Sequence, residues 1–119
     1  MAVVAPKTSR PPTAHQQFVR RFPSLGKAWD LVNAEGDAGP LDAKTQRLLK
    51  LAIAIGAMRE GAVHSGVRKA RDAGASLAEM EQVVALAAST IGFPASVAVW
   101  RWVREEAGGT GRPTKRRRR

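Results

Sequence analysis

The sequence predicts an all-α fold, a compact bundle of about six helices. Apolar residues recur at helical spacing between residues 13 and 106, and no stretch alternates apolar and polar residues as a half-buried strand would. Helix-starting and helix-stopping residues bracket each periodic stretch. At 119 residues, 44% of them hydrophobic, the chain has material for a core. A lone domain of this size buries only about two-thirds of its unfolded surface, so association between copies would help it.

The first helix is expected over about 13–21, opened by Thr13 and stopped before Phe22-Pro23. The second starts from Ser24 as N-cap and runs to about Asn33, with Leu25, Ala28, Trp29 and Val32 on one face. Glu35 to Pro40 is dense in turn residues and reads as a loop. Asp42 caps the third helix, about 43–57, which is apolar on nearly every side from Leu48 onward and so belongs at the centre. The fourth spans about Glu60 to Ala73 and stops at Gly74, which suits a C′ position. Ser76-Leu-Ala-Glu79 is a capping box for the fifth, which buries Met80, Val83, Val84 and Ala87. After Gly92 and Phe93, Pro94 fits the first turn of the sixth, which carries Val97, Val99, Trp100 and Val103 and ends near Glu106.

Composition removes whole classes of chemistry. Without cysteine there are no disulfides, thiolate nucleophiles, Cys-bound zinc or iron–sulfur clusters. Absence of cysteine fits a cytoplasmic protein. Met1 to Lys7 has no basic stretch ahead of an apolar one, so no secretory signal is expected. The longest apolar run, Leu51 to Met58, falls far short of the roughly 20 residues that span a bilayer, so no membrane association is expected. The net charge of +10 is concentrated at the ends. Residues 112–119 hold six of the twenty basic residues and residues 1–11 hold two, which leaves twelve against all ten acids in between. The chain thus divides into a flexible, proline-containing arm (1–12), a nearly neutral helical domain (13–106), and a Gly-rich linker with a basic tail (107–119).

Several pieces of the chain occur in a specific order. Leu41-Asp42-Ala-Lys-Thr45 opens an apolar helix and is followed by Glu60-Gly-Ala-Val-His64-Ser65. Ala70, Gly74-Ala75, the acidic turn Ser76-Leu-Ala-Glu79 and Gly92-Phe93-Pro94-Ala95 then come in sequence. Each is generic helix punctuation, but together, from about Leu41 to Trp102, they resemble the carboxymuconolactone decarboxylase-like family. The resemblance implies an alkyl hydroperoxidase D-like helical fold that assembles as a homo-oligomer, a trimer or hexamer. In the family's peroxidase members a Cys-x-x-Cys pair opens the fourth helix, a histidine follows four residues later, and a glutamate sits on the preceding helix. One thiolate attacks peroxide, the other resolves the product, and the Glu/His relay moves protons. Aligned on Gly74, the cysteine positions fall on Arg59 and Ala62, the histidine on Gly66 and the glutamate on Arg47. The thiol route is therefore excluded. The family's cysteine-free lactone decarboxylases would be expected to keep acid/base groups, and Gly66 puts that reaction in doubt as well.

Glu60, His64 and Arg68 recur every four residues and line one stripe of the fourth helix. A carboxylate one turn from an imidazole can orient it as a general acid or base, and Arg68 can clamp a small anionic ligand such as a carboxylate. The bland alternative is a solvated face with ordinary charge pairs. His64 also points about 200° away from position 66, so it cannot take over the relay. Ser65 faces about 100° away from His64, too far round to pair with it. His15 lacks partner ligands, so neither a metal nor any other cofactor is expected. Trp29, Trp100 and Trp102 belong to core or interface more readily than to a ligand pocket. Lys115, Arg116, Arg117, Arg118 and Arg119 can hold nucleic acid non-specifically by releasing condensed counterions. No aromatics interleave them, so sequence-specific reading is not expected; the alternative is a solubilising tail. Two functions stand. One is an acid/base enzyme on a small carboxylated or lactone metabolite, using His64 and Glu60. The other is a catalytically degenerate scaffold or binding member with an anion-binding tail, which the concerted losses favour.

Overall fold

The structure is a computed structural model that describes residues 13–108. The expectations for the arm, for most of the linker and for Lys115 to Arg119 lie outside the described residues. Six helices and no strand occur among the described residues: α1 (Ala14–Arg21), α2 (Pro23–Asp37), α3 (Ala43–Gly56), α4 (Glu60–Asp72), α5 (Leu77–Ile91) and α6 (Phe93–Ala107). They fall into two compact units, one up to Pro40 and one from Leu41. None is long and apolar enough to cross a membrane.

In the first unit, Thr13 and Gln16 close a capping box on α1: the Thr13 hydroxyl accepts from the Gln16 N–H and the Gln16 side chain accepts from the Thr13 N–H. Helix α2 begins at Pro23, one residue before the expected cap at Ser24, because a fixed φ and a missing N–H suit the first helical turn. It also continues four residues past Asn33, into the first half of the stretch read as a loop, whose residues 38–40 lie outside the helix. Gly36 weakens a helix by only about 1 kcal/mol, and the chain leaves the helix at Ala38, which is extended, just ahead of Gly39 with its φ of +134°. Gly26 is the buried residue of α2, set so close to α1 that a Cβ there would lie 2.6 Å from Val19 Cγ1. The apolar face expected of α2 is uncovered, with Leu25, Trp29 and Val32 half exposed or more.

In the second unit, α3 and α6 each pack on α4 and α5. Leu51 and Ile55 from α3, Val63 and Val67 from α4, Met80 and Val84 from α5, and Val99 and Val103 from α6 form the core. Each such side chain contributes about 1.5–3 kcal/mol when fully buried. Val83, Ala87 and Trp102 are packed against this cluster. Helix α3 is not enclosed as expected: Leu49 and Ile53 leave one flank open.

Caps set the turns. Asp42 Oδ1 accepts from the Thr45 N–H at 2.8 Å, a bond that holds the Asp42 carboxyl below its ordinary pKa. At the end of α3, Met58 adopts φ +55°, its N–H bonds Ile55 O and the Arg59 N–H bonds Ala54 O. Gly74 repeats that Schellman geometry after α4, at φ +100° and with the Ala75 N–H on Ala70 O. Ser76 and Glu79 close the expected capping box on α5. Lys44 Nζ, 2.9 Å from Glu79 Oε2, ties the start of α3 to the start of α5.

Candidate functional site

Helix α4 carries the three residues singled out from spacing, and the structure sets them in one row. Val63, Val67 and Ala70 face the core, which turns Glu60, His64 and Arg68 toward the C-terminal end of α6. His64 Nε2 lies 3.4 Å from Glu60 Oε2, the contact that the i, i+4 spacing anticipates. His64 Nδ1 makes a shorter contact, 2.9 Å to Glu106 Oε1 on α6. Arg68 Nη1 is 3.2 Å from that same oxygen. Just beyond, the Arg71 guanidinium donates to the carbonyls of Glu106 and Ala107, satisfying orphan acceptors at the end of α6.

Glu106 is thus the hub of the row, and at 15% side-chain exposure it is its least exposed charged member. Reasoning from local spacing missed it, because it lies 42 positions from His64. A signal was present nonetheless. An acid in the last turn of a helix opposes the macrodipole and so calls for a cation from another element.

Chemically, the row is closed on itself. Both ring nitrogens of His64 face carboxylates. A protonated ring can donate to both, and a neutral ring to one. The two carboxylates sit on opposite nitrogens and do not converge on a shared point. Among the described residues no group of three or more His, Asp or Glu residues is placed to hold a metal ion. The Arg68 head, offered by the sequence as an anion clamp, is paired with Glu106 and half exposed.

The four positions aligned with the peroxidase chemistry lie on α3 and α4 or between them. Arg59 precedes α4 and Ala62 falls in its first turn, both exposed. Gly66 faces α3 so closely that a Cβ there would lie 3.3 Å from Leu51 Cδ1 and 3.5 Å from Leu51 Cα. A histidine side chain at that position would have to enter the packed seam of the two helices. Arg47 borders a shallow hollow with Lys69, Asp72 and Ala73.

A larger hollow lies elsewhere, as an open groove of about 540 Å³ between α3 and α5. Leu48, Ala52, Val83, Leu86, Ala87 and Ile91 line it, and Glu79 is its one charged residue. The Ser76 N–H, and then Lys44, hold the Glu79 carboxyl below its ordinary pKa, which makes it a poor base near neutrality. The lining contains none of Glu60, His64, Arg68 and Glu106.

The fold and the row together define a small helical domain with paired charges and no sulfur nucleophile. The model of the carboxymuconolactone decarboxylase family matches residues 23–105, and the chain belongs to that family. The match starts at Pro23 and so takes in α2, which the motifs from Leu41 onward do not reach. No curated protein and no solved structure matches the chain.

Proposed function

We propose that this family member performs no thiol chemistry and serves as a binding or scaffold protein, engaging polyanions such as nucleic acid non-specifically through residues 112–119. The observation that carries this reading is the segregation of charge: six cations lie in that segment, while residues 12–111 are nearly balanced. Three features support the lack of catalysis. There is no cysteine, the His64 nitrogens are both engaged within the chain, and the large groove holds no group suited to proton transfer. The same reading takes 1–12 as an arm, 13–106 as the helical domain and 107–119 as linker and tail. It expects a trimer or hexamer in the cytoplasm, where assembly would gather several basic segments and raise avidity.

Deleting residues 112–119 and titrating a fluorescent duplex oligonucleotide at low salt tests it. Loss of binding is expected; full retention would assign binding to the helical body and end the proposal.

A second reading has one observation in its favour. Glu106 on Nδ1 and Glu60 on Nε2 could orient His64 as a general acid or base toward a small carboxylated or lactone metabolite, with Arg68 meeting its anion. Under that reading a folded His64→Ala variant loses turnover. Equal turnover in that variant removes His64 from any mechanism.

A further inference from the structure

The corner between α1 and α2 carries aromatic rings that its own packing leaves unused. Among the described residues of the first unit only Gly26 is buried. Phe18 and Trp29 are each 50% exposed, and Phe22 is 41% exposed. Phe22, Leu25 and Trp29 recur at intervals of three and four, so they share one face of α2 and of the turn that enters it. Phe18 joins that row from α1, its ring centroid 5.0 Å from that of Phe22. Trp29 stands roughly 10 Å beyond Phe22 along the helix axis, far enough to meet a different base of an extended strand.

The same corner is positively charged. Residues 13–29 hold Arg20, Arg21 and Lys27 and no acid. All three are exposed, and among the described residues none of them enters an ion pair. The Arg21 guanidinium lies 4.7 Å from the centroid of the Phe22 ring, which enlarges the flat surface there.

We infer that this corner binds single-stranded nucleic acid, stacking unpaired bases on Phe18, Phe22 and Trp29 while Arg20, Arg21 and Lys27 attract the phosphates. Stacking on an aromatic ring tolerates any base, and the unpaired cations supply the charge complementarity. A duplex keeps its base faces inside and gains only the charge. An anionic membrane is the weaker match. A helix lying on one needs a polar face rich in Lys and Arg, whereas α2 sets Lys27 against Asp30, Glu35 and Asp37. Those acids follow Trp29 and lie outside the corner. The inference builds on the polyanion reading, in which residues 112–119 hold phosphates of either form, and adds which form the α1–α2 corner selects.

Titrations of the full chain with a fluorescent oligothymidylate and with a duplex of equal length, at one salt concentration, test it. Phe18→Ala and Trp29→Ala should each weaken single-strand binding about tenfold, the loss of one stacked base, and leave duplex binding unchanged. Trp29→Phe should restore most of the affinity. Leu31→Ala, 72% exposed on α2, should change neither. In the ring variants the slope of log affinity against log salt should stay as in the wild type, because stacking releases no counterions. The rings build no core in the hairpin, so helical circular dichroism should persist in every variant. Single-strand affinity unchanged in both Phe18→Ala and Trp29→Ala overturns the inference and leaves the polyanion reading intact. An equal loss for the duplex overturns it too, as does binding to phosphatidylserine vesicles that Trp29→Ala abolishes, which would assign the corner to a lipid surface. Duplex binding that survives deletion of residues 112–119 ends the polyanion reading instead, and the ring variants still decide this one.

Discussion

Glu106 offers a direct way to ask whether His64 is a strut or a base. Its carboxylate makes two charge-assisted contacts, 2.9 Å to His64 and 3.2 Å to Arg68. Such bonds contribute about 1.5–3 kcal/mol when well shielded. Here His64 is 23% exposed and Arg68 48% exposed, so water recovers part of what is lost. Glu106→Ala should therefore cost about 1–2 kcal/mol, and His64→Ala about 1 kcal/mol. The two losses share one contact, so the double variant should fall short of their sum by about 1 kcal/mol. Urea unfolding followed by far-UV circular dichroism, at unchanged m-value, measures all four corners of the cycle. Additivity within about 0.3 kcal/mol would refute the claim that His64 braces α4 against α6.

Three further outcomes rest on the geometry of the caps and of the α3–α4 seam. Met58→Gly should stabilise the protein by about 0.5–1 kcal/mol in thermal unfolding, since Met58 holds a left-handed φ of +55° that glycine adopts freely. Gly66→Ala should be nearly neutral, with helix propensity gained against a tight contact to the end of the Leu51 side chain. Gly66→His should cost about 2 kcal/mol by forcing apart the α3–α4 seam, and urea midpoints separate the two. Acid should destabilise through Asp42 and Glu79, whose folded pKa values lie below their ordinary 3.8 and 4.5. Their stabilising contribution is present above those ordinary values and is lost as pH falls through the lower, folded ones. Lys44, raised by its bond to Glu79, works in the opposite sense, losing its contribution as pH rises past 10.5 through its folded value. In Glu79→Gln the fall in unfolding midpoint below about pH 4.5 should be shallower than in the wild type.

Much of the fold was legible because helix punctuation is local. Thr13, Asp42 and Ser76 sit where a side-chain oxygen can accept from an N–H three residues on, and Gly74 sits where the chain must turn left-handed. The end of α2 was misread for the same local reason. Gly36 resembles a turn residue, but one glycine does not stop this helix, which runs on through Asp37 to its cap at Ala38. The apolar girth of α3 suggested a central helix, yet the chain supplies neighbours for only part of its circumference. At the candidate site, Glu60 and His64 were readable from their i, i+4 spacing. Glu106 was not, since pairing between α4 and α6 depends on how the helices pack. The close α3–α4 approach at Gly66 was not legible in sequence, because it depends on how the two helices pack.

The salt dependence of nucleic-acid binding tests the functional account most directly. With six cations in residues 112–119, a plot of log affinity for duplex DNA against log salt should have a slope no steeper than about −5 per chain. Deleting the segment should bring the slope close to zero together with the affinity. An unchanged slope in the shortened chain would contradict the account and place the anion-binding surface on the helical domain.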